Sequence, residues 1–115
     1  MARDLRNTEA ARVLEAYFDK IAQGNEGDAT IELLELDGTE LRFHVQIRHR
    51  HVVWIKVGPI KKKVVLYSLT THAKGKVDVL HPDPSDLRVC VDTPVGQMCV
   101  TLEDVIKLVI AAAGL

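Results

Sequence analysis

Residues 41–48 alternate without a break. Leu41, Phe43, Val45 and Ile47 are apolar, and Arg42, His44, Gln46 and Arg48 are polar. A period of two sends the two sets to opposite faces of a β-strand. The segment therefore predicts an antiparallel strand with one face on a core and the other in water. Just upstream, Asp37-Gly38 is a type I′ turn signal. A hairpin around it sets Leu34 opposite Leu41 and Glu32 opposite Phe43. The core face then collects Leu34, Leu41, Phe43, Val45 and Ile47.

A further strand is predicted over residues 51–57. A three-residue loop at residues 49–51 puts Val53, Ile55 and Val57 on the core face, with Trp54 opposite Gln46 and Lys56 opposite His44. A two-residue loop would turn that apolar set outward, so burial selects the longer one. The run Arg48-His49-Arg50-His51 contains no Gly, Asn, Asp or Pro. A turn without turn residues breaks a local rule, and such breaks tend to mark functional sites. Trp54 then stands on the outer, basic face, which is unusual for a lone tryptophan.

The remaining chain supplies both ends of the fold. Residues 8–23 carry a helical stripe of Ala10, Val13, Leu14, Tyr17, Phe18 and Ile21, capped by Asn7 or Thr8 and stopped by Gly24. Gly58-Pro59 ends the third strand. Residues 61–69 read as a fourth, Lys74-Gly75 as a tight turn, residues 76–80 as a strand and residues 81–84 as a rigid connector. Residues 87–91 and 97–101 pair with Cys90 opposite Cys99. A cross-strand disulfide and two buried thiols both fit that placement. Residues 102–113 form a last helix, with Thr101 and Asp104 as an approximate capping pair and Gly114 as the stop. Nine of those twelve residues are apolar. So apolar a helix predicts a subunit interface and a homo-oligomer; the alternative is a central helix buried against the sheet. The expected architecture is α+β: an N-terminal helix, an antiparallel sheet of five to seven strands and a C-terminal helix, forming one domain over residues 1–115.

The net charge of −1 hides a strong partition. Residues 1–41 sum to −6 and residues 78–115 to −4, while residues 42–77 hold nine cations and no carboxylate. Those cations are Arg42, Arg48, Arg50, Lys56, Lys61, Lys62, Lys63, Lys74 and Lys76. Four of the five histidines share the block. A basic stripe between acidic flanks reads as a polyanion site. The plainer reading is a solvated face whose charges pair with the flanks. Cations that track phosphates, with aromatic rings that stack under bases, are the ingredients of single-strand recognition. The candidate nucleic-acid-binding residues are therefore Arg42, His44, Arg48, Arg50, Trp54, Lys56, Lys61, Lys62, Lys63, Tyr67, Lys74 and Lys76. Trp54 is the first stacking candidate and Tyr67 the second. Duplex reading is disfavoured because neither helix is basic.

Other chemistries find little support. Gly24-Asn25-Glu26-Gly27 lacks the following Lys-Ser/Thr of a P-loop, and neither G-x-S-x-G nor H-E-x-x-H occurs. His81, Asp83 and Asp86 are the one acid/base grouping, and the flanking Pro82 and Pro84 mark a loop. His49 and His51 share a strand face with His44 nearby, but a cationic neighbourhood opposes a divalent metal. No enzyme activity, metal or cofactor is expected. The longest apolar run, residues 108–113, is too short for a membrane span. No signal peptide precedes the first helix pattern, so a cytoplasmic location is expected. Only five residues are Asn or Gln. That scarcity, with the cysteine pair, fits a hyperthermophile, where intracellular disulfides occur.

The leading helix of residues 8–23, the basic strands 41–48 and 52–57 and the trailing helix together resemble the ThermoDBP-related proteins of thermophilic archaea, which bind single-stranded nucleic acid. The resemblance spans most of the chain. It implies a small α+β domain with a basic, aromatic-bearing cleft for single-stranded DNA or RNA, assembled as an oligomer. Arg42, Arg48, Arg50, Trp54 and Lys56 are where that cleft would fall. The chain departs from the family in lacking a long charged heptad tail for a zipper dimer. The alternative to nucleic-acid binding is a protein–protein interaction or assembly module with an acidic partner, using the same basic face.

Overall fold

The computed structural model describes residues 2–22 and 26–115. Its elements run β1 (Ala2–Asp4), α1 (Glu9–Ile21), β2 (Asp28–Asp37), β3 (Glu40–Val57), β4 (Ile60–Asp78), β5 (Arg88–Thr93), β6 (Gly96–Thr101) and α2 (Glu103–Ala113). The class is α+β, as the sequence implies. The six strands do not form one sheet, however. They divide into an antiparallel four-stranded sheet, in the order β1-β2-β3-β4, and a separate β5-β6 hairpin. The first element is also a short strand rather than the helix. The predicted helix end at Gln23 and stop at Gly24 lie outside the described residues.

The core forms where α1 lies on one face of the large sheet and α2 packs against α1. Leu14, Phe18 and Ile21 of α1, with Val105, Ile106 and Val109 of α2, are buried against Leu34, Leu41, Phe43, Val45 and Ile47. The alternation of residues 41–48 thus does what its period requires. Tyr17 Oη donates a hydrogen bond to Asp104 Oδ2 at 2.9 Å, tying the helices together. Thr8 is the N-cap of α1, but its hydroxyl donates to the Leu5 carbonyl at 2.6 Å instead of accepting from the helix. Leu102, not Thr101, caps α2, again without a side-chain bond, while Gly114 ends that helix at φ +71°. The apolar surface of α2 is mostly taken up inside the chain. Its buried residues face the core, and its open side shows Ala111 and Ala112.

Of three predicted turns, one shifts by a residue and two are absent. The first hairpin turns at Gly38-Thr39, with Asp37 opposite Glu40 and Leu36 opposite Leu41. Gly38 there adopts φ +62°, a region that favours glycine. No reversal occurs at residues 49–51; the chain continues as β3 to Val57 and turns at Gly58-Pro59. Trp54 therefore pairs with Lys63 and Lys56 with Lys61, rather than with Gln46 and His44. The absence of turn residues in Arg48-His49-Arg50-His51 reflected a strand, not a special turn. Likewise Lys74-Gly75 is no turn, and residues 61–69 and 76–80 belong to one strand, β4. Gly75 lies opposite Phe43, where a side chain would meet the ring.

These long strands set the shape. Eighteen residues at about 3.3 Å each span about 60 Å, and the molecule measures 62 × 26 × 20 Å. Its radius of gyration, 17.1 Å, exceeds the roughly 13 Å expected of a compact chain of this length. Pairing between β2 and β3 stops at Arg48. Beyond it, β3 and β4 have no further strand partner among the described residues and form a two-stranded arm, with the Glu26 N–H donating to the Arg50 carbonyl at 3.3 Å near its base. At its base the register steps from His51–Tyr67 to Val52–Val65, leaving Leu66 as a bulge in β4.

Candidate nucleic-acid interface

Cross-strand partners share a face, so the register sorts the candidate residues. Arg42 pairs with Lys76, His44 with Lys74, Trp54 with Lys63 and Lys56 with Lys61. With Arg48 and Arg50 these alternate onto the face opposite the helices. Ten of the twelve candidates thus share one surface. The other two, Lys62 opposite Ile55 and Tyr67 opposite His51, fall on the core-side face. Tyr67 stacks on the His51 ring with centroids 5.7 Å apart, so it is engaged within the chain.

The shared surface is not uniformly available. Arg42 donates from Nε to Glu40 Oε1 at 2.7 Å, and its Nη atoms reach Asp37 at 3.2 Å and Glu35 at 3.4 Å. Arg48 Nη2 lies 2.7 Å from Asp28 Oδ2. Glu26 holds Lys63 Nζ at 2.8 Å and Arg50 Nη1 at 3.6 Å. The hydrogen bond from Lys63 keeps the Glu26 carboxyl below its usual range. The hydrogen bond that Arg42 donates to Glu40 likewise raises the Arg42 pKa, and those that Arg48 donates to Asp28 raise the Arg48 pKa. Four candidates are thus paired with the acidic N-terminal flank, as the plainer reading of the charge pattern expected. Lys56, Lys61, Lys62, Lys74 and Lys76 form no ion pair among the described residues.

Those five lysines make two groups. Lys74 and Lys76 sit over the body. Lys56, Lys61 and Lys62 surround the tip of the arm, next to Trp54, which is 64% exposed. Trp54, Ile55, Lys56 and Lys61 line an open groove of about 550 Å³. Val65 and the bulged Leu66 are exposed further along β4.

The histidines do not converge. His44 and His72 share a hydrogen bond at 2.9 Å between Nε2 and Nδ1, and Glu32 Oε2 lies 3.6 Å from His44 Nδ1. His49 alternates to the opposite face, where it is fully buried with Nε2 3.0 Å from Thr71 Oγ1. Among the described residues no group of three or more His, Cys, Asp or Glu could hold a metal ion. Asp83 accepts hydrogen bonds from the Ser85 backbone and hydroxyl, which organise the connector and hold its carboxyl below the usual range. Cys90 and Cys99 form a disulfide across the β5-β6 hairpin, in the predicted register. No helix among the described residues is long and apolar enough to cross a membrane.

His49 makes stability pH-dependent. Burial lowers its pKa below the ordinary histidine value. The unfolded chain takes up a proton near pH 6.5 while the folded chain still excludes it. Stability is therefore full above about pH 6.5 and falls as the pH drops toward the lowered folded value. Thermal melts between pH 7 and 5 should show that fall, and His49→Gln should reduce it. Equal pH dependence in the two proteins would remove His49 as the cause.

The chain matches no known protein family, no curated protein and no solved structure.

Proposed function

We propose that the chain is a non-catalytic binder of single-stranded nucleic acid, DNA or RNA, acting through the outer face of β3 and β4 with the arm tip as its main contact. One observation carries this reading: Trp54 stands exposed on the arm, on the same face as the adjacent Lys56–Lys61 pair. An exposed indole stacks with any base, and unpaired ammonium groups beside it neutralise phosphates. Lys74 and Lys76 extend the same face toward the body, roughly 45 Å from the tip at 3.3 Å per residue. The paired arginines between them would contribute only on exchanging carboxylate for phosphate. The acidic remainder limits adhesion elsewhere and orients the approach of a polyanion. The resemblance to the ThermoDBP-related proteins points the same way, and a cytoplasmic location would fit it.

Fluorescence anisotropy with labelled DNA and RNA oligonucleotides over a salt series tests the reading. Trp54→Ala should weaken binding by about 5- to 150-fold, the equivalent of 1–3 kcal/mol, and leave the salt slope nearly unchanged. Lys56→Ala with Lys61→Ala should flatten the slope of log affinity against log salt by about 1.4, at 0.7 per phosphate contact. Absence of binding at low salt would end the proposal.

A further inference from the structure

The arm has a second face, which the nucleic-acid reading leaves unused apart from Ile55 at the edge of the groove beside Trp54. Val53, Ile55 and Val57 alternate onto it from β3, and Ile60, Val64 and Tyr67 are their neighbours on β4. Leu69, opposite His49, continues it toward the body. Ile55, Val57, Ile60 and Leu69 are 43%, 60%, 66% and 45% exposed. This surface prolongs the core face of the sheet past the reach of the helices. An isolated two-stranded ribbon is marginally stable in water, and here its apolar side lies open. These residues present on the order of 500 Å² of apolar surface, at the upper end of what single chains leave uncovered.

We propose that this face is the interface with a second copy of the chain, the two arms packing face to face about a two-fold axis. The occupant follows from complementarity. The other exposed large apolar side chains on the body, Leu33, Leu80, Val95 and Leu115, lie apart on separate segments and offer no matching patch. The arm itself does, and a surface that complements itself makes an isologous, closed pair. Two such faces cover about 1,000 Å², the lower bound of a specific interface. Charge permits the contact. Lys62 is the one cation on this face of the arm, while Lys56, Lys61 and Lys63 alternate away from it. Pairing produces a small sandwich with sheets about 10 Å apart. Edge-to-edge addition is less suited, because five lysines punctuate the β4 edge. If the outer face binds nucleic acid, the pair carries two such faces pointing in opposite directions; the dimer itself does not depend on that reading.

Sedimentation equilibrium of the full chain without nucleic acid, across the micromolar range and at low and high salt, tests the proposal. The expected mass is that of two chains, retained at high salt. Ile55→Lys with Ile60→Lys should halve it while circular dichroism stays unchanged, since both side chains are open in the single chain. Trp54→Ala, on the opposite face, should leave the dimer intact even where it weakens oligonucleotide binding. A wild-type chain that remains single, an open series of larger assemblies, or a dimer that survives the double substitution overturns the proposal. So does a single chain whose Ile55 and Ile60 are instead needed for binding phosphatidylcholine vesicles.

Discussion

Shortening the arm should abolish nucleic-acid binding and leave the body folded. Replacing residues 54–63 by Asn-Gly keeps Val53 opposite Val64 and closes the ribbon with a two-residue turn of the favoured type. The segment removed holds Trp54 and the three unpaired tip lysines, and none of its residues belongs to the buried core. Buried Val52 stays in place. The stacking loss alone is about 1–3 kcal/mol, and the lost phosphate contacts add to it. Affinity at low salt should therefore fall by at least about 100-fold. The unfolding free energy of the body should change by less than about 0.5 kcal/mol, as for surface changes generally. Anisotropy and urea melts read the two quantities separately. The melts belong at a dilution where both proteins are single chains, because dimerisation stabilises by mass action. Undiminished binding would move the site to Lys74 and Lys76 on the body. A body that no longer folds would make the arm part of the core rather than an appendage.

The same hairpin shows what could be read from the residues and what could not. Local periodicity was legible wherever one face is buried. The stripe of Leu14, Phe18 and Ile21, the alternation of Leu41 to Ile47 and the pairing of Cys90 with Cys99 all follow from it. Strand length was not legible. Apolar alternation does not say where a strand ends, so it permits a turn at residues 49–51, where the chain continues straight. Register was the more costly error. With Leu34 set opposite Leu41, Arg42 and Arg48 face Leu33 and Gly27, and neither meets a carboxylate across the strands. The actual pairing moves the partner of Arg42 by two residues, to Glu35, and, past the irregularity between Ile31 and Leu33, the partner of Arg48 by one, to Asp28. Those carboxylates lie in the acidic flank, outside the basic block, so the charge pattern alone does not say which cations they neutralise. The surviving site is consequently smaller than the block of nine cations, and it moves outward to the tip, beyond the reach of β2.

Lys74-Gly75 reads as a tight turn in the sequence, and glycine inside a strand normally weakens it, by about 0.5–1 kcal/mol relative to alanine. Here it sits mid-strand opposite Phe43. A Cβ at position 75 would lie 2.7 Å from Phe43 Cζ and 2.9 Å from Cε1. The ring is only 4% exposed and packs in the core, so it cannot swing aside without disturbing its neighbours. Gly75→Ala should therefore destabilise the fold by about 1–3 kcal/mol, the usual cost of overpacking. The sign is diagnostic, since strand propensity alone predicts a gain. Shortening the ring supplies the control. Phe43→Leu costs stability by itself, but in its presence Gly75→Ala should cost less, so the double variant should be more stable than the sum of the two single effects. Urea melts of the four proteins measure that coupling. Additive effects, or an alanine that stabilises the wild-type background, would show that the glycine is not there to accommodate the ring.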